Sequence, residues 1–345
     1  MDIFTALNER TNYSTPTLQV ILGAWVLSGL TERKTKVCAQ TGDVDEDDYD
    51  KQSIYSLLYS LYRSLGEVKS DTGKLYELTF NTWGYAWPEE WGTSPVGDDD
   101  PQRFGKNAYT GLFQFAPVQD YVRERNGRVH VVEMGCGTGA GAHHVCQHVL
   151  PNCTYQAFDM QQTAIQTCQR KFVPELAGRL VATRADCTRL PVASSAADIV
   201  AICETHVTEY AGRVTAEDEA FFSSAKRVLK PNGFLVWGNA IPDATWQPCF
   251  EYLESIGMKV LDVRDVTQAA LTARELDKAR VIAFVEQCID RFHCFRIPVL
   301  GPKKRREARL AMENFYRNPG TNLHATMANG IDSYRVCLLQ KAAAA

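Results

Sequence analysis

Short apolar runs alternate with amphipathic stretches along the chain from residue 129 onward. Each run has the length and the Val, Ile, Leu and Ala content of a buried strand, and helical patterns separate most of the runs. The predicted strands are Val129–Glu133, Cys153–Phe158, Leu180–Ala185, Asp198–Cys203, Phe234–Trp237, Lys259–Val266 and Ser333–Leu339. Because strands that alternate with helices favour a parallel sheet covered by helices, the pattern predicts an α/β fold.

The first predicted strand runs into a glycine-rich turn, and the whole stretch from Val129 to Ala142 reads VHVVEMGCGTGAGA. Gly135, Gly137 and Gly139 occupy every second position, which differs from the dinucleotide-binding pattern G-x-G-x-x-G. Glycines permit positive φ angles and let a ligand approach the backbone. The turn leads into a helix N-terminus, which favours negative charge. We therefore expect a ligand at this turn.

Acidic residues follow the next three predicted strands. Asp159 ends the second strand, Asp186 and Cys187 follow the third, and Glu204 follows the fourth. Open α/β sheets bind ligands at the carboxyl ends of their strands. A carboxylate at the position of Asp159 can accept hydrogen bonds from both hydroxyls of a ribose, so the pattern predicts a nucleotide-type ligand.

Five segments in this order, E-x-G-C-G-x-G, FDM, RADCTRLP, ADIVAICE and RVLKPNGFLVW, resemble the class I S-adenosylmethionine-dependent methyltransferases over about Gly127 to Trp237. The resemblance implies a doubly wound, seven-stranded, mostly parallel Rossmann-like sheet with an added helical N-terminal part. It also implies an enzyme with S-adenosyl-L-methionine as cofactor. The implied cofactor-binding residues are Glu133, Gly135, Cys136, Gly137, Gly139, Asp159, Met160, Asp186, Cys187 and Glu204.

A narrower resemblance covers roughly Phe104 to Lys341. LPNCTYQAFDMQQTAIQTC, ICETHVTEY and GTNLHATMANGIDSYRVCLLQK are similar to enzymes that O-methylate phthiotriolone-type lipids and to related natural-product methyltransferases. This similarity implies a hydrophobic or polyketide-like small-molecule acceptor with a reactive hydroxyl. Transfer to nitrogen or to an alkene carbon is the alternative, followed by a non-catalytic cofactor-binding module.

An aliphatic hydroxyl acceptor needs a base. His206 is the candidate, because it lies just beyond the fourth strand and an ordinary histidine pKa of about 6.5 suits proton removal near neutral pH. Glu204 or Glu209 could replace it or orient the imidazole. His143 and His144 are adjacent on a helix without a ligand-spaced carboxylate or thiol, so we expect a solvated or substrate-facing pair and no metal centre.

The segment before the methyltransferase-like region is rich in aromatic residues. It contains WGYAWPEEWG, which is similar to the aromatic segment of sterol C-methyltransferases. Trp83, Tyr85 and Trp87 are therefore candidate substrate contacts, and a hydrophobic plug is the alternative. Helical patterns at Thr17–Leu30 and Ser53–Leu65 precede this segment, and a further helical pattern at Phe104–Tyr121 follows it. We predict an N-terminal cap over residues 1–103, a methyltransferase domain over 104–341 and a tail over 342–345.

Composition limits the partners and the compartment. Of 345 residues, 45% are hydrophobic and 23% charged, and the net charge of −4 gives no reason to expect nucleic acid. The basic stretch Lys303–Tyr316 has an apolar side formed by Leu310, Met312 and Phe315, which favours an amphipathic surface helix.

No apolar run is long enough to cross a bilayer, and the N-terminus lacks a signal-peptide layout. Eleven cysteines without a C-x-x-C pair suit reduced thiols, so we expect a cytoplasmic protein. The oligomeric state stays open, with a homodimer as one option.

Overall fold

The computed structural model describes residue 59 and residues 66–70, 72–205, 212–290 and 301–343. The helices predicted within residues 1–65, and the candidate bases His206 and Glu209, lie outside the described residues. The chain divides into two compact units. One holds the described residues within 79–273 and 326–345, and the other holds the described residues within 1–78 and 274–325. Residues 79–102 fall in the unit that holds the large sheet, and the domain boundaries at residues 103 and 341 stay predictions.

The first unit is built on a seven-stranded sheet. Its strands are β1 (His130–Met134), β2 (Thr154–Asp159), β3 (Leu180–Arg184), β4 (Ala197–Cys203), β5 (Leu229–Pro242), β6 (Met258–Asp265) and β7 (Asp332–Lys341). They lie in the order β3-β2-β1-β4-β5-β7-β6, and only β7 runs antiparallel to its neighbours. The prediction of a seven-stranded, mostly parallel Rossmann-like sheet is confirmed.

The helices of the described residues follow the chain between and around these strands. They are α1 (Arg103–Leu112), α2 (Ala116–Glu124), α3 (Ala140–His144), α4 (Gln162–Lys171), α5 (Ala216–Val228), α6 (Asp243–Ser255), α7 (Thr267–Asp290), α8 (Gly301–Phe315) and α9 (Asn322–Ala328). A π-helical turn, Val145–Val149, continues α3. Thr215 and Asp218 form a capping box at the start of α5, which satisfies two otherwise unpaired amides. None of the described helices is long and apolar enough to cross a membrane.

Both faces of the central part of the sheet are buried. Val131 and Val132 are adjacent on β1, yet they belong to two separate hydrophobic clusters, because successive strand residues point to opposite faces. Tyr155 joins the cluster of Val131, while Phe158 joins that of Val132. Two apolar faces, each covered by helices, are the physical basis of the doubly wound arrangement.

The second unit contains a two-stranded antiparallel hairpin, Glu67–Lys69 with Leu75–Glu77, and the helix α8. The arginines of α8 are paired with carboxylates: Arg305 contacts Glu286 and Asp290, and Arg309 contacts Glu286 and Glu313. These ion pairs and the buried Met312 agree with an amphipathic helix. Leu310 differs from the expectation, since 54% of it is exposed. Two residues apart on a helix point in nearly opposite directions, so Leu310 and Met312 cannot share a face.

Candidate functional site

The glycine-rich turn closes over the ends of β1 and β2. Gly135, Gly137 and Gly139 all have positive φ angles, of 82°, 54° and 84°. The amides of Gly135 and Cys136 both donate to the Phe158 carbonyl oxygen, at 2.7 and 2.9 Å. The turn therefore folds back against the last residues of β2.

Two of these glycines are required by neighbouring side chains. A Cβ on Gly135 would lie 1.9 Å from Cγ2 of Thr205, and one on Gly139 would lie 2.2 Å from Sγ of Cys168. Neither distance is compatible with any side chain in this conformation. Close packing within the protein thus explains why Gly135 and Gly139 are glycines. The sequence pattern instead suggests that they make room for a ligand.

Asp159 fastens the turn to β2. Its Oδ2 accepts the Gly137 amide at 2.8 Å, and its Oδ1 accepts the Gln161 amide at 2.8 Å. Burial raises the pKa of this carboxyl, and the two amide hydrogen bonds act in the opposite direction. A carboxylate offers about four acceptor positions, so each oxygen of Asp159 can accept a further hydroxyl.

Glu133 is fully buried at the end of β1. Among the described residues, no donor reaches either of its carboxylate oxygens with hydrogen-bond geometry. Burial raises its pKa from 4.5 to about 7, although the nearby hydroxyls of Tyr109 and Tyr155 lower it. A buried carboxylate without a partner is costly, and a cation placed beside it would remove that cost. Glu133 therefore fits a group that carries an ammonium, as S-adenosylmethionine does.

The remaining predicted cofactor residues lie around the ends of β2 and β3. Met160 is 42% exposed, which leaves its thioether side chain free to cover a flat ring. Asp186 caps the short turn after β3 by accepting the amide and the hydroxyl of Thr188, at 2.9 and 2.7 Å. Cys136 and Cys187 are buried, and burial raises the pKa of Cys187 to about 12. Both thiols are therefore uncharged near neutral pH.

Glu204 follows β4 with a positive φ of 49°, a conformation that is rare outside glycine. Its Oε2 accepts the Trp83 amide at 2.6 Å, and its Oε1 accepts the Gly84 amide at 2.8 Å. The hydroxyl of Tyr334 on β7 also donates to Oε1, at 2.8 Å. The carboxylate thus joins the end of the sheet to the aromatic segment before α1.

We call that segment, residues 79–91, the aromatic strap. Trp83 and Trp87 are half-buried, as substrate contacts need to be, whereas Tyr85 is fully buried. The Tyr85 ring packs edge-on against Trp91 and Tyr334, with centroids 5.9 and 5.5 Å apart. Tyr85 therefore belongs to the hydrophobic core, while the two tryptophans remain candidates for contact with an acceptor.

A cavity of about 530 Å³ adjoins the C-terminal end of the strap. Its lining consists of Glu90, Trp91, Gln114, Arg264 and Asp265. The guanidinium of Arg264 lies 5.1 Å from the Trp91 ring and 4.2 Å from the Phe115 ring. Since Asp265 ends β6, this cavity opens at the same edge of the sheet as the glycine turn.

The two adjacent histidines on α3 both contact other side chains of the protein. His144 is buried with Nε2 2.9 Å from the Thr110 hydroxyl, and burial lowers its pKa to about 3. His143 contacts Glu175 at 2.8 Å. His144 thus differs from the expectation of a solvated or substrate-facing residue. No cluster of three or more potential metal ligands occurs in the described part of the chain.

Several contributors were not singled out from the sequence. Thr138 donates its hydroxyl to the Thr79 carbonyl at 2.6 Å, and Thr205 donates to the Gly135 carbonyl at 2.9 Å. Tyr334 is provided by β7, far along the chain from its partner Glu204. A threonine or tyrosine in such positions carries no sequence pattern that distinguishes it, so these contacts emerge only in three dimensions.

Comparison with known proteins agrees with the geometry. Residues 131–233 match a protein family described as methyltransferase domain. A probable phthiotriol/phenolphthiotriol dimycocerosates methyltransferase 2 of Mycobacterium ulcerans is 25% identical over 58% of this chain and 71% of its own length. A fatty-acid O-methyltransferase of Mycolicibacterium smegmatis is 25% identical over 48% of this chain, and the match spans about half (54%) of that relative. The solved structure of geranyl diphosphate methyltransferase in complex with SAM covers 76% of this chain and 99% of its own, with 12% identity and a TM-score of 0.50.

Proposed function

We propose that this chain, a class I S-adenosylmethionine-dependent methyltransferase, transfers the methyl group to a hydroxyl of a hydrophobic or polyketide-like small molecule. The observation that carries this proposal is the aromatic strap. Its Trp83 amide binds Glu204 at the end of β4, its Thr79 carbonyl binds Thr138 of the glycine turn, and it carries two half-buried tryptophans, Trp83 and Trp87. The names of the relatives support it, because one acts on phthiotriol-type lipids and another O-methylates fatty acids.

The bound cofactor supplies an electrophilic methyl group on a sulfonium. The protein then has to orient the acceptor for in-line displacement, and such positioning contributes roughly 7–11 kcal/mol in favourable cases. We propose that Asp159 accepts the ribose hydroxyls and that Glu133 faces the ammonium. Met160, Asp186 and Cys187 would surround the adenine. The turn formed by Gly135, Cys136, Gly137 and Gly139 would contact the rest of the cofactor.

Proton removal from the acceptor is assigned to His206, with Glu209 as its alternative. Both residues come within a few positions of the end of β4, where the strap meets the sheet. Glu204 is less suited to the role of base, because its carboxylate already accepts three hydrogen bonds, from Trp83, Gly84 and Tyr334. A catalytic base has to reach the acceptor hydroxyl with a lone pair that is available.

A cytoplasmic location is part of the proposal. The nine cysteines of the described residues are free thiols in buried positions, which agrees with a reducing compartment. The proposal includes a small-molecule acceptor and no nucleic acid.

The deciding experiment is incubation of the protein with methyl-labelled S-adenosylmethionine and a panel of acceptors. The panel holds long-chain alcohols, fatty acids, polyketide-like phenols and enols, amines and prenyl alkenes. Mass spectrometry then locates the label on the product. We expect label on oxygen of a hydrophobic alcohol, phenol, enol or acid. Label on nitrogen or carbon would contradict O-methylation, and binding of the cofactor without turnover on any acceptor would favour a non-catalytic module.

A further inference from the structure

We infer that Glu204 is a positioning residue, which fixes the aromatic strap across the strand ends and thereby determines how the acceptor binds. The sequence pattern suggests other roles for it, as a base or a cofactor ligand. The kinetic part of this inference rests on the proposed function, since it concerns the acceptor. The fastening of the strap is independent of which reaction the protein catalyses.

The carboxylate of Glu204 accepts hydrogen bonds from two consecutive backbone amides. The Trp83 N–H lies 2.6 Å from one oxygen and the Gly84 N–H 2.8 Å from the other. Successive N–H groups that converge on an anion form a concave binding site for it. Hydrogen bonds to an ionised acceptor are also roughly twice as strong as those between neutral groups. Both properties make Glu204 a strong point of attachment for the middle of the strap.

The backbone at both partners is specialised for this contact. Gly84 has a φ of 64°, and a Cβ there would lie only 2.0 Å from the Phe104 carbonyl oxygen. Glu204 itself adopts a φ of 49°. A non-glycine residue keeps such a conformation only when its surroundings hold it there, and such outliers concentrate at functional sites.

Hydrogen bonds between neutral groups hold the strap on either side of its contact with Glu204. Thr138 of the glycine turn donates to the Thr79 carbonyl at 2.6 Å. Farther along, Nδ2 of Asn107 donates to the Tyr85 carbonyl at 3.2 Å, and the Ala86 amide donates to the Ala269 carbonyl at 3.0 Å. The strap therefore runs from the cofactor turn, past the end of β4, to the beginning of α7. Among these contacts, Glu204 supplies the charged acceptor.

The strap borders the space that is available to an acceptor. Trp83 and Trp87 lie on it, and its last residues, Glu90 and Trp91, line the cavity at the end of β6. If the carboxylate is lost, the strap loses its attachment to the end of β4, and only the remaining contacts hold these aromatic walls. Acceptor binding should then suffer, while the glycine turn and Asp159 keep their own hydrogen bonds.

The test compares Glu204→Gln with Tyr334→Phe. Glutamine presents an NH₂ group to one of the two strap amides, so it cannot accept both. Phenylalanine at 334 removes one donor to the carboxylate and leaves both strap contacts intact. Hydrogen exchange of residues 79–91 is measured by mass spectrometry with S-adenosylhomocysteine bound. We expect exchange in this segment to rise about tenfold or more in Glu204→Gln and less than about threefold in Tyr334→Phe.

Kinetics with an acceptor from the panel separate the roles of Glu204. In Glu204→Gln, we expect the acceptor KM to rise about tenfold, the affinity for S-adenosylhomocysteine to change less than about threefold, and the pH dependence of kcat to keep its ionisation. Unchanged exchange in residues 79–91 would overturn the inference. A large loss of cofactor affinity with a protected strap would identify a cofactor ligand, and loss of the ionisation would identify a base.

A second variant keeps the test decisive if Glu204→Gln does not fold. Gly84→Ala leaves the carboxylate in place but forces the strap away from the Phe104 carbonyl, so it should reproduce the faster exchange and the raised acceptor KM. Normal exchange and normal KM in Gly84→Ala would contradict the inference. If no acceptor is methylated, the proposed function fails, while the exchange measurements still decide whether Glu204 holds the strap.

Discussion

Asp159 holds the glycine turn and is the proposed acceptor for the ribose hydroxyls, and a substitution by alanine removes both contacts. Its carboxylate accepts the Gly137 and Gln161 amides, and each oxygen retains capacity for a ribose hydroxyl. Asp159→Ala should weaken cofactor binding by about 1.5–3 kcal/mol, the usual contribution of a hydrogen bond to a charged group. Titration calorimetry with S-adenosylhomocysteine measures this change. Asp120→Ala, an exposed aspartate on α2, is the control and should leave the affinity unaltered. Unaltered affinity in Asp159→Ala would refute the ribose assignment.

Gly137 is the turn residue whose amide meets that carboxylate. Its φ of 54° is unfavourable for a β-branched side chain, and valine would project a branched group from the cofactor turn. We expect Gly137→Val to abolish cofactor binding while circular dichroism still reports a folded protein. Val181→Ala on the exposed part of β3 serves as the control for general effects. Retained binding in Gly137→Val would mean that the glycine has only a structural role.

His206 is the proposed base, and its substitution tests the chemistry rather than cofactor binding. With an aliphatic alcohol as acceptor, His206→Ala should lower kcat about 10²–10⁴-fold, the range typical of acid–base catalysis. Cofactor affinity should hardly change. The rate of the unsubstituted enzyme should rise with pH through one ionisation near neutrality, and this limb should vanish in the variant. Full activity with an intact pH profile would reassign the proton to another group such as Glu209.

At the scale of elements, hydrophobic patterning predicts the central strands well, because strands such as β4 and β5 are buried on both faces over continuous apolar runs. β2 and β4 match their predicted runs to within a residue at each end. β5 is longer than Phe234–Trp237, since pairing with β7 continues to Pro242. That extension depends on a partner strand almost a hundred residues away, which local patterning cannot reveal.

In the stretch Phe104–Tyr121, a proline in the sequence marks a break between two helices. The stretch forms two helices, α1 and α2, rather than the single helix that its pattern predicts. Pro117 lies in the first turn of α2, where a missing amide hydrogen costs nothing, and it disfavours helical continuation from the residue before it. The attachment of the strap to Glu204 had no comparable signal, because its partners are distant in sequence and two of the groups are backbone amides.

Thr138 connects two elements, the glycine turn and the strap, and its substitution should uncouple them. Thr138→Val keeps the shape of the side chain but removes the hydrogen bond to the Thr79 carbonyl. Cofactor binding should slow hydrogen exchange at the start of the strap in the unsubstituted protein, and this effect should shrink in the variant. Thr167→Val removes a similar hydroxyl-to-carbonyl bond within α4 and should preserve the effect. An equal response to cofactor in Thr138→Val would show that the two elements are not coupled through this contact.

At the scale of the whole molecule, the buried Glu133 makes stability depend on pH. Its pKa is raised to about 7 in the folded protein, against an ordinary 4.5, chiefly by burial. Below pH 4.5 both states hold the proton. Between these two values the unfolded chain loses its proton before the folded chain does, so folding stability falls as pH rises through this window. A shift of this size corresponds to about 3 kcal/mol.

Glu133→Gln removes this titration and should therefore remove its share of the pH dependence. Denaturant unfolding of the cofactor-free protein at several values from pH 4.5 to pH 8 gives the free energy of unfolding of each variant. We expect the unsubstituted protein to lose about 3 kcal/mol relative to Glu133→Gln across the interval from pH 4.5 to pH 7. Glu124→Gln, the same change at an exposed glutamate on α2, should follow the unsubstituted protein. Parallel curves for Glu133→Gln and the unsubstituted protein would show that Glu133 is not a buried, unpaired carboxyl.

An ammonium beside Glu133 favours its ionised form, so cofactor affinity should also rise with pH through this window and should lose that dependence in Glu133→Gln.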